Sequence, residues 1–135
     1  MLDTDPSGPG PDDQHWSPDL IRDLQGAGRN GQVGSRLVNE TETYRIWLIE
    51  IAPGDRLSFH THVLNYFWTA TSAGRARSRY SDGRVVDMDY TLGQTRHMAF
   101  AAGESMTHDL ENIGDTVLTF VTVEDKRSAN APLDL

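Results

Sequence analysis

From residue 44 onward the chain alternates short runs rich in Val, Ile, Thr, Tyr, Phe and Trp with Gly-containing turns. The runs are Tyr44–Ile51, Leu57–Thr71, Arg75–Tyr80, Arg84–Leu92, Thr95–Ala101, Met106–Leu110 and Val117–Val123, and the breaks read APGD, SAG, SDG, LG, AAGE and NIGD. β-Branched and aromatic side chains suit a pleated, half-buried surface, and Gly, Pro and Asp punctuate it. No segment between the runs has a helical period. Seven or eight strands joined by tight turns predict an antiparallel all-β sandwich or barrel. Ahead of the strands, Ser17 as N-cap and Pro18 at the first helical position predict a helical turn over 18–24, which GAGRNGQVGS (26–35) ends. No internal repeat is present.

The first residues, MLDTDPSGPGPDDQ, hold almost no large apolar side chain and cannot offset their ordering entropy by burial. The expected organisation is an acidic disordered tail over 1–16, one β-barrel domain over 17–127 and a C-terminal tail over 128–135. At 135 residues there is room for one core. The net charge of -8 is uneven: residues 1–20 contain five Asp and no Lys or Arg, which leaves 12 basic against 15 acidic residues, or -3, in the remainder. Such a balance argues against a nucleic-acid footprint. No apolar run approaches the ~20 residues of a membrane span. The N-terminus lacks the basic start and apolar core of a signal peptide, so a cytoplasmic protein is expected. The absence of cysteine excludes disulfides, thiolate metal sites and cysteine nucleophiles.

Five histidines occur, at 15, 60, 62, 97 and 108. His60-Thr61-His62 falls in a strand, where period-2 alternation puts both imidazoles on one face, able to share a metal ion. Gly54 lies six residues before His60, and a third histidine, His108, precedes Asn112 by four. The alternative for His60, His62 and His108 is a set of barrel-interior rings satisfied by hydrogen bonds without metal.

These residues resemble the cupins. The first cupin motif, Gly, five residues, His-x-His, three or four residues, Glu, six residues, Gly, is similar to Gly54, DRLSF, His60-Thr61-His62, VLN, Tyr66, FWTATSA, Gly74. The second, ending in His, three residues, Asn, is similar to His108, DLE, Asn112. The stretch from Tyr44 to Asp125 looks most like small cupins associated with β-alanine degradation. The resemblance implies a single-domain cupin jelly-roll with His60, His62 and His108 on one divalent metal ion (Fe, Zn, Ni or Mn). Two features depart from the pattern. The metal-binding Glu is absent, and strand parity with 60, 62 and 64 puts Tyr66 on the inner face in its place and Phe67 outside. The distance from Gly93 to His108 is 15 residues, longer than usual, and Ala101 stands where a Pro is usual.

Losing the carboxylate leaves three neutral ligands and open coordination positions. The implied activities are a three-histidine Fe(II)-type dioxygenase, or a redox-neutral Zn or Ni Lewis-acid isomerase, lyase or cyclase; a non-catalytic small-molecule binder is the third possibility. Tyr66 and His97 are the candidate proton-transfer residues; Tyr66 as a core aromatic and His97 as an exposed strand residue are the alternatives. Trp68, Ser78, Tyr80 and Phe100 are the candidate substrate contacts, and Trp47 belongs to the core or the pocket wall. Arg75, Arg77 and Arg79 alternate along a strand and read as an outer, solvated row, since Ala76, Ser78 and Tyr80 have the character of a barrel lining. A homodimer is expected, with Gln32–Val38 as the candidate exchanging strand. The substrate is expected to be a small oxygenated organic molecule.

Overall fold

The computed structural model describes residues 16–135. His15 and all but the last residue of the expected acidic tail lie outside them. Helix α1, Pro18–Gly26, starts as expected: Ser17 Oγ accepts from Leu20 N at 3.2 Å, and Pro18 opens the first turn. A 3₁₀ turn, Ala27–Arg29, follows. Nine strands come next among the described residues: β1 (Arg36–Glu40), β2 (Tyr44–Ile51), β3 (Arg56–His62), β4 (Asn65–Ala70), β5 (Gly74–Arg79), β6 (Val85–Tyr90), β7 (Thr95–Met98), β8 (Met106–Asn112) and β9 (Leu118–Asp125). They form two sheets, β1-β2-β9-β4-β7 and β3-β8-β5-β6, and every pairing between them is antiparallel. This is the antiparallel all-β architecture that the alternating pattern predicts, in the jelly-roll form that the resemblance implies.

One expectation about the strands needs correction. The run 57–71 is not one strand. It breaks at Val63–Leu64, where the chain leaves the four-stranded sheet as β3 and enters the five-stranded sheet as β4. Strand β1 pairs beside its own hairpin partner, with Arg36 and Leu37 opposite Leu48 and Trp47. A strand next to its own hairpin partner pairs at little loop-closure cost.

The apolar core gathers Ile49, Ile51, Ala70, Ala76, Tyr90, Leu110, Leu118 and Phe120 between the sheets. Each large side chain buried there contributes roughly 1.5–3 kcal/mol. Gly54 and Gly74 are needed by this geometry. Gly54 turns at φ +85°, a left-handed conformation that only glycine adopts freely. A Cβ on Gly74 would stand 2.5 Å from Leu118 Cδ2, inside the core. Asn112, also buried, donates to Ile51 O and Thr116 O at 2.8 and 2.7 Å and accepts from Gly114 N at 2.9 Å. It ties the turn after β8 to the end of β2, which is a structural task.

Both ends of the described chain pack onto the barrel. Trp16, assigned to the tail by its sequence, lies 5.8 Å from the Phe59 ring. The segment 128–135 lies on its own barrel: Asn130 Nδ2 donates to Val63 O and Ala101 O at 3.1 Å, and Leu133 O accepts from Arg45 at 3.0 Å. No helix among the described residues is long and apolar enough to cross a membrane.

Candidate metal centre

β3 pairs with β8 so that His60 stands opposite His108 and His62 opposite Met106. The register shifts between Leu57 and His60, a β-bulge. Without it Leu57 and His60, an odd number of residues apart, would face opposite sides; with it both line the interior. The bulge also leaves the Ser58 carbonyl to accept from His60 Nδ1 at 2.7 Å. That bond sets the proton on Nδ1 and leaves Nε2 with a free lone pair.

The three rings form a nearly equilateral set. Their centroids are 5.0 Å (His60–His62), 4.8 Å (His60–His108) and 5.2 Å (His62–His108) apart, with interplanar angles of 72°, 72° and 68°. One nitrogen from each falls within 4.8 Å of the others, and Nε2 of His62 and His108 are 3.3 Å apart. Two ligands at adjacent positions of an ion with metal–nitrogen bonds of about 2.0–2.1 Å sit about 3 Å apart, so this spacing fits a shared divalent cation. Burial holds all three rings neutral. It takes His60 down to about 4 and His62 and His108 well below the usual histidine range. Neutral imidazoles are the ligand form. Nδ1 of His62 and of His108 are buried without a partner among the described residues. Those two rings are held by stacking instead: Tyr66 lies on His62 at 4.1 Å and 14°, and Tyr80 tilts against His108 at 5.4 Å. Among the described residues no carboxylate joins the three rings.

The rings open onto a cavity of about 200 Å³ between the sheets. Tyr66, Trp68, Ser78 and Tyr80 line it together with apolar side chains. Burial pushes the Tyr66 phenol well above its usual range, so it is a protonated donor at neutral pH. Its hydroxyl has no hydrogen-bond partner among the described residues.

Two candidate residues stand elsewhere. His97 is exposed on the outer face, opposite Phe67 in the β4–β7 register and 5.3 Å from its ring. Its neighbours Arg96 and Met98 face the cavity, so alternation turns His97 away. Phe100 is off the cavity wall; it stacks behind Tyr66 at 6.3 Å, because β7 ends at Met98 and strand alternation no longer governs it. Trp47 is buried in the core, with Nε1 donating to Glu124 Oε1 at 2.7 Å.

Glu124 itself is a buried carboxylate that the sequence reading missed. It stands opposite Tyr66 in the β4–β9 register, and burial raises it to about 6 against the Trp47 hydrogen bond. The available signal was β9, where Leu118, Phe120, Thr122 and Glu124 share the buried face.

No family model matches the chain. Solved structures do match. A cupin domain from Bordetella pertussis Tohama I superposes with a TM-score of 0.59 at 22% identity, over 67% of this chain and 90% of that one. A protein with a double-stranded β-helix domain from Klebsiella pneumoniae subsp. pneumoniae MGH 78578 gives 0.54 at 24% identity, over 73% and 82%. The fold is the cupin double-stranded β-helix. Among curated proteins, oxalate decarboxylase OxdC of Bacillus subtilis (strain 168) is 31% identical over 90 residues, 64% of this chain. The chain spans only 22% of that relative's length. The three histidines therefore sit on the inner wall of a cupin barrel.

Proposed function

We propose that His60, His62 and His108 hold one divalent metal ion and that this cupin is a metal-dependent enzyme for a small oxygenated organic molecule bound in the barrel cavity. The observation that carries this reading is the convergence of three buried, neutral imidazoles at the wall of a cavity of about 200 Å³. The partial likeness to an oxalate decarboxylase supports a small oxygenated substrate. Of the chemistries that three imidazoles serve, an Fe(II)-dependent dioxygenase stands first. A redox-active ion there supplies oxygen activation, and three protein ligands leave coordination positions for small molecules. In this chain the bulge at Ser58 orients His60, and Tyr66 and Tyr80 hold the other two rings.

One observation favours a second, redox-neutral reading. Tyr66 keeps its proton beside His62 on the cavity wall, which suits a donor to a substrate oxygen in an isomerase, lyase or cyclase. Metal analysis of protein purified without added metal, followed by oxygen uptake on small diketones, tests both. One equivalent of iron with oxygen consumption supports the dioxygenase. Zinc or nickel with metal-dependent turnover and no oxygen uptake supports the second reading. Protein that holds no metal, and whose melting temperature added Fe, Zn, Ni or Mn leaves unchanged, defeats both.

A further inference from the structure

The cavity wall has a charge pattern unlike the rest of the chain. The protein carries a net charge of -8, yet among the described residues no Asp or Glu lines the cavity, while Arg84 and Arg96 do. Both are exposed, and both stand at edge strands: Arg84 immediately before β6 and Arg96 on β7. The cavity therefore reaches the surface at these two side chains.

The two arginines differ in what they already hold. Arg84 pairs with Asp82 at 2.8 Å and lies 4.4 Å over the Tyr80 ring. Arg96 has no ion pair and no side-chain hydrogen bond among the described residues, although it faces inward. Tyr66, Tyr80 and Tyr90 line the same cavity, so a guanidinium and three phenols share one wall. The guanidinium offers only donors, and the Tyr66 and Tyr80 phenols offer their O–H, while that of Tyr90 donates to Met88 Sδ at 3.8 Å. A wall so rich in donors is matched by a ligand that brings acceptors and negative charge. The planar guanidinium fork matches a carboxylate. Elsewhere the wall is apolar, with Trp68, Val86, Met88 and Phe120, so the remainder of the ligand is apolar too.

We infer that Arg96 anchors an anion subsite at the cavity mouth, and that the ligand of this cavity is a small monocarboxylate on an apolar or aromatic body. This rests on the barrel cavity being the substrate site proposed above, and it adds the substrate class.

Calorimetric titration with benzoate against benzamide, and pentanoate against pentanamide, tests it on the purified protein and on the same protein after chelation. Both acids are expected to bind about 10-fold or more tighter than their amides in both forms. Arg96→Gln, at an exposed position, is expected to remove the preference and leave the metal content unchanged. Arg84→Gln is expected to cost only about 2–3-fold, since that side chain is already engaged by Asp82. Equal binding of acids and amides, retained preference in Arg96→Gln, or no saturable binding of any of the four probes at millimolar concentration would overturn the subsite. A preference seen only before chelation would place the carboxylate on the metal and also overturn it. A protein that takes up no metal yet prefers the acids through Arg96 would uphold the subsite while sinking the metal-dependent reading.

Discussion

The two faces of the β3–β8 pair hold polar groups in opposite ways. On the outer face, beneath α1, each one has partners. Thr61 Oγ1 donates to Ala27 O at 2.7 Å, and Asp23 accepts from Phe59 N at 3.0 Å and Arg56 at 2.7 Å. Asp109, fully buried, accepts from Arg56 Nε at 3.0 Å and from Arg79 N and a guanidinium nitrogen at 2.8 and 2.9 Å. One residue earlier on the same strand, His108 faces inward and buries a nitrogen with no partner among the described residues. Buried polar groups with complete partners hold a frame together. The Nε2 atoms that converge on the cavity, those of His62 and His108 3.3 Å apart, are available to a ligand. The outer network thus fixes the strands, and the inner rings await something to bind.

The largest effect should come from the inner face. His60→Ala or His62→Ala is expected to abolish metal binding, measured as metal per protomer. The barrel should stay folded by circular dichroism, because the rings line a preformed cavity. Asp109→Ala inverts this: it leaves Arg56 and Arg79 without their shared carboxylate. It should lower stability by about 3 kcal/mol in urea unfolding while the folded fraction retains its metal. If both substitutions proved equally damaging to the fold, the division between frame and site would collapse.

Tyr66→Phe sharpens the comparison within the site. The ring remains stacked on His62, so metal content should be unchanged, while turnover falls on the order of 10²-fold as a positioned proton donor is removed. Loss of metal would make the phenol a ligand, and unchanged turnover would make it packing.

The smallest effect is expected at Glu124. Its pKa rises from 4.5 to about 6 on folding, so the folded state binds its proton more tightly than the unfolded chain does. This contribution to stability is fully present below about 4.5 and fades as pH rises to about 6, beyond which the buried charge is a net cost. Glu124→Gln keeps an acceptor for Trp47 and should raise stability by about 1–2 kcal/mol at pH 7.5, with the gain vanishing at pH 4. A constant difference at both pH values would remove ionisation as its cause.

Much of the frame and half of the site are local in origin and could be read from residue order. Alternation is a property of one strand, so His60-Thr61-His62 had to present two rings to one side whatever the strand paired with. Ser17-Pro18 specified a helix start through capping chemistry alone. Tyr66 shows where such reasoning runs short. Its inward face agrees with parity counted from His60, but the strand ends at His62 and the count crosses a change of sheet. Long-range pairing with β9 and β7 sets that orientation. The facing of His97 was open in the sequence for a related reason. β7 is four residues long, and nothing in the order Thr95-Arg96-His97-Met98 says which face is inward; the fold turns the charged Arg96 in and the histidine out. The bulge at Ser58, the burial of Glu124 and the meeting of His108 with His60 across 48 residues of chain arise only when strands distant in sequence pair. Local chemistry specifies relative faces and turns, whereas absolute facing, burial and convergence belong to the packed whole.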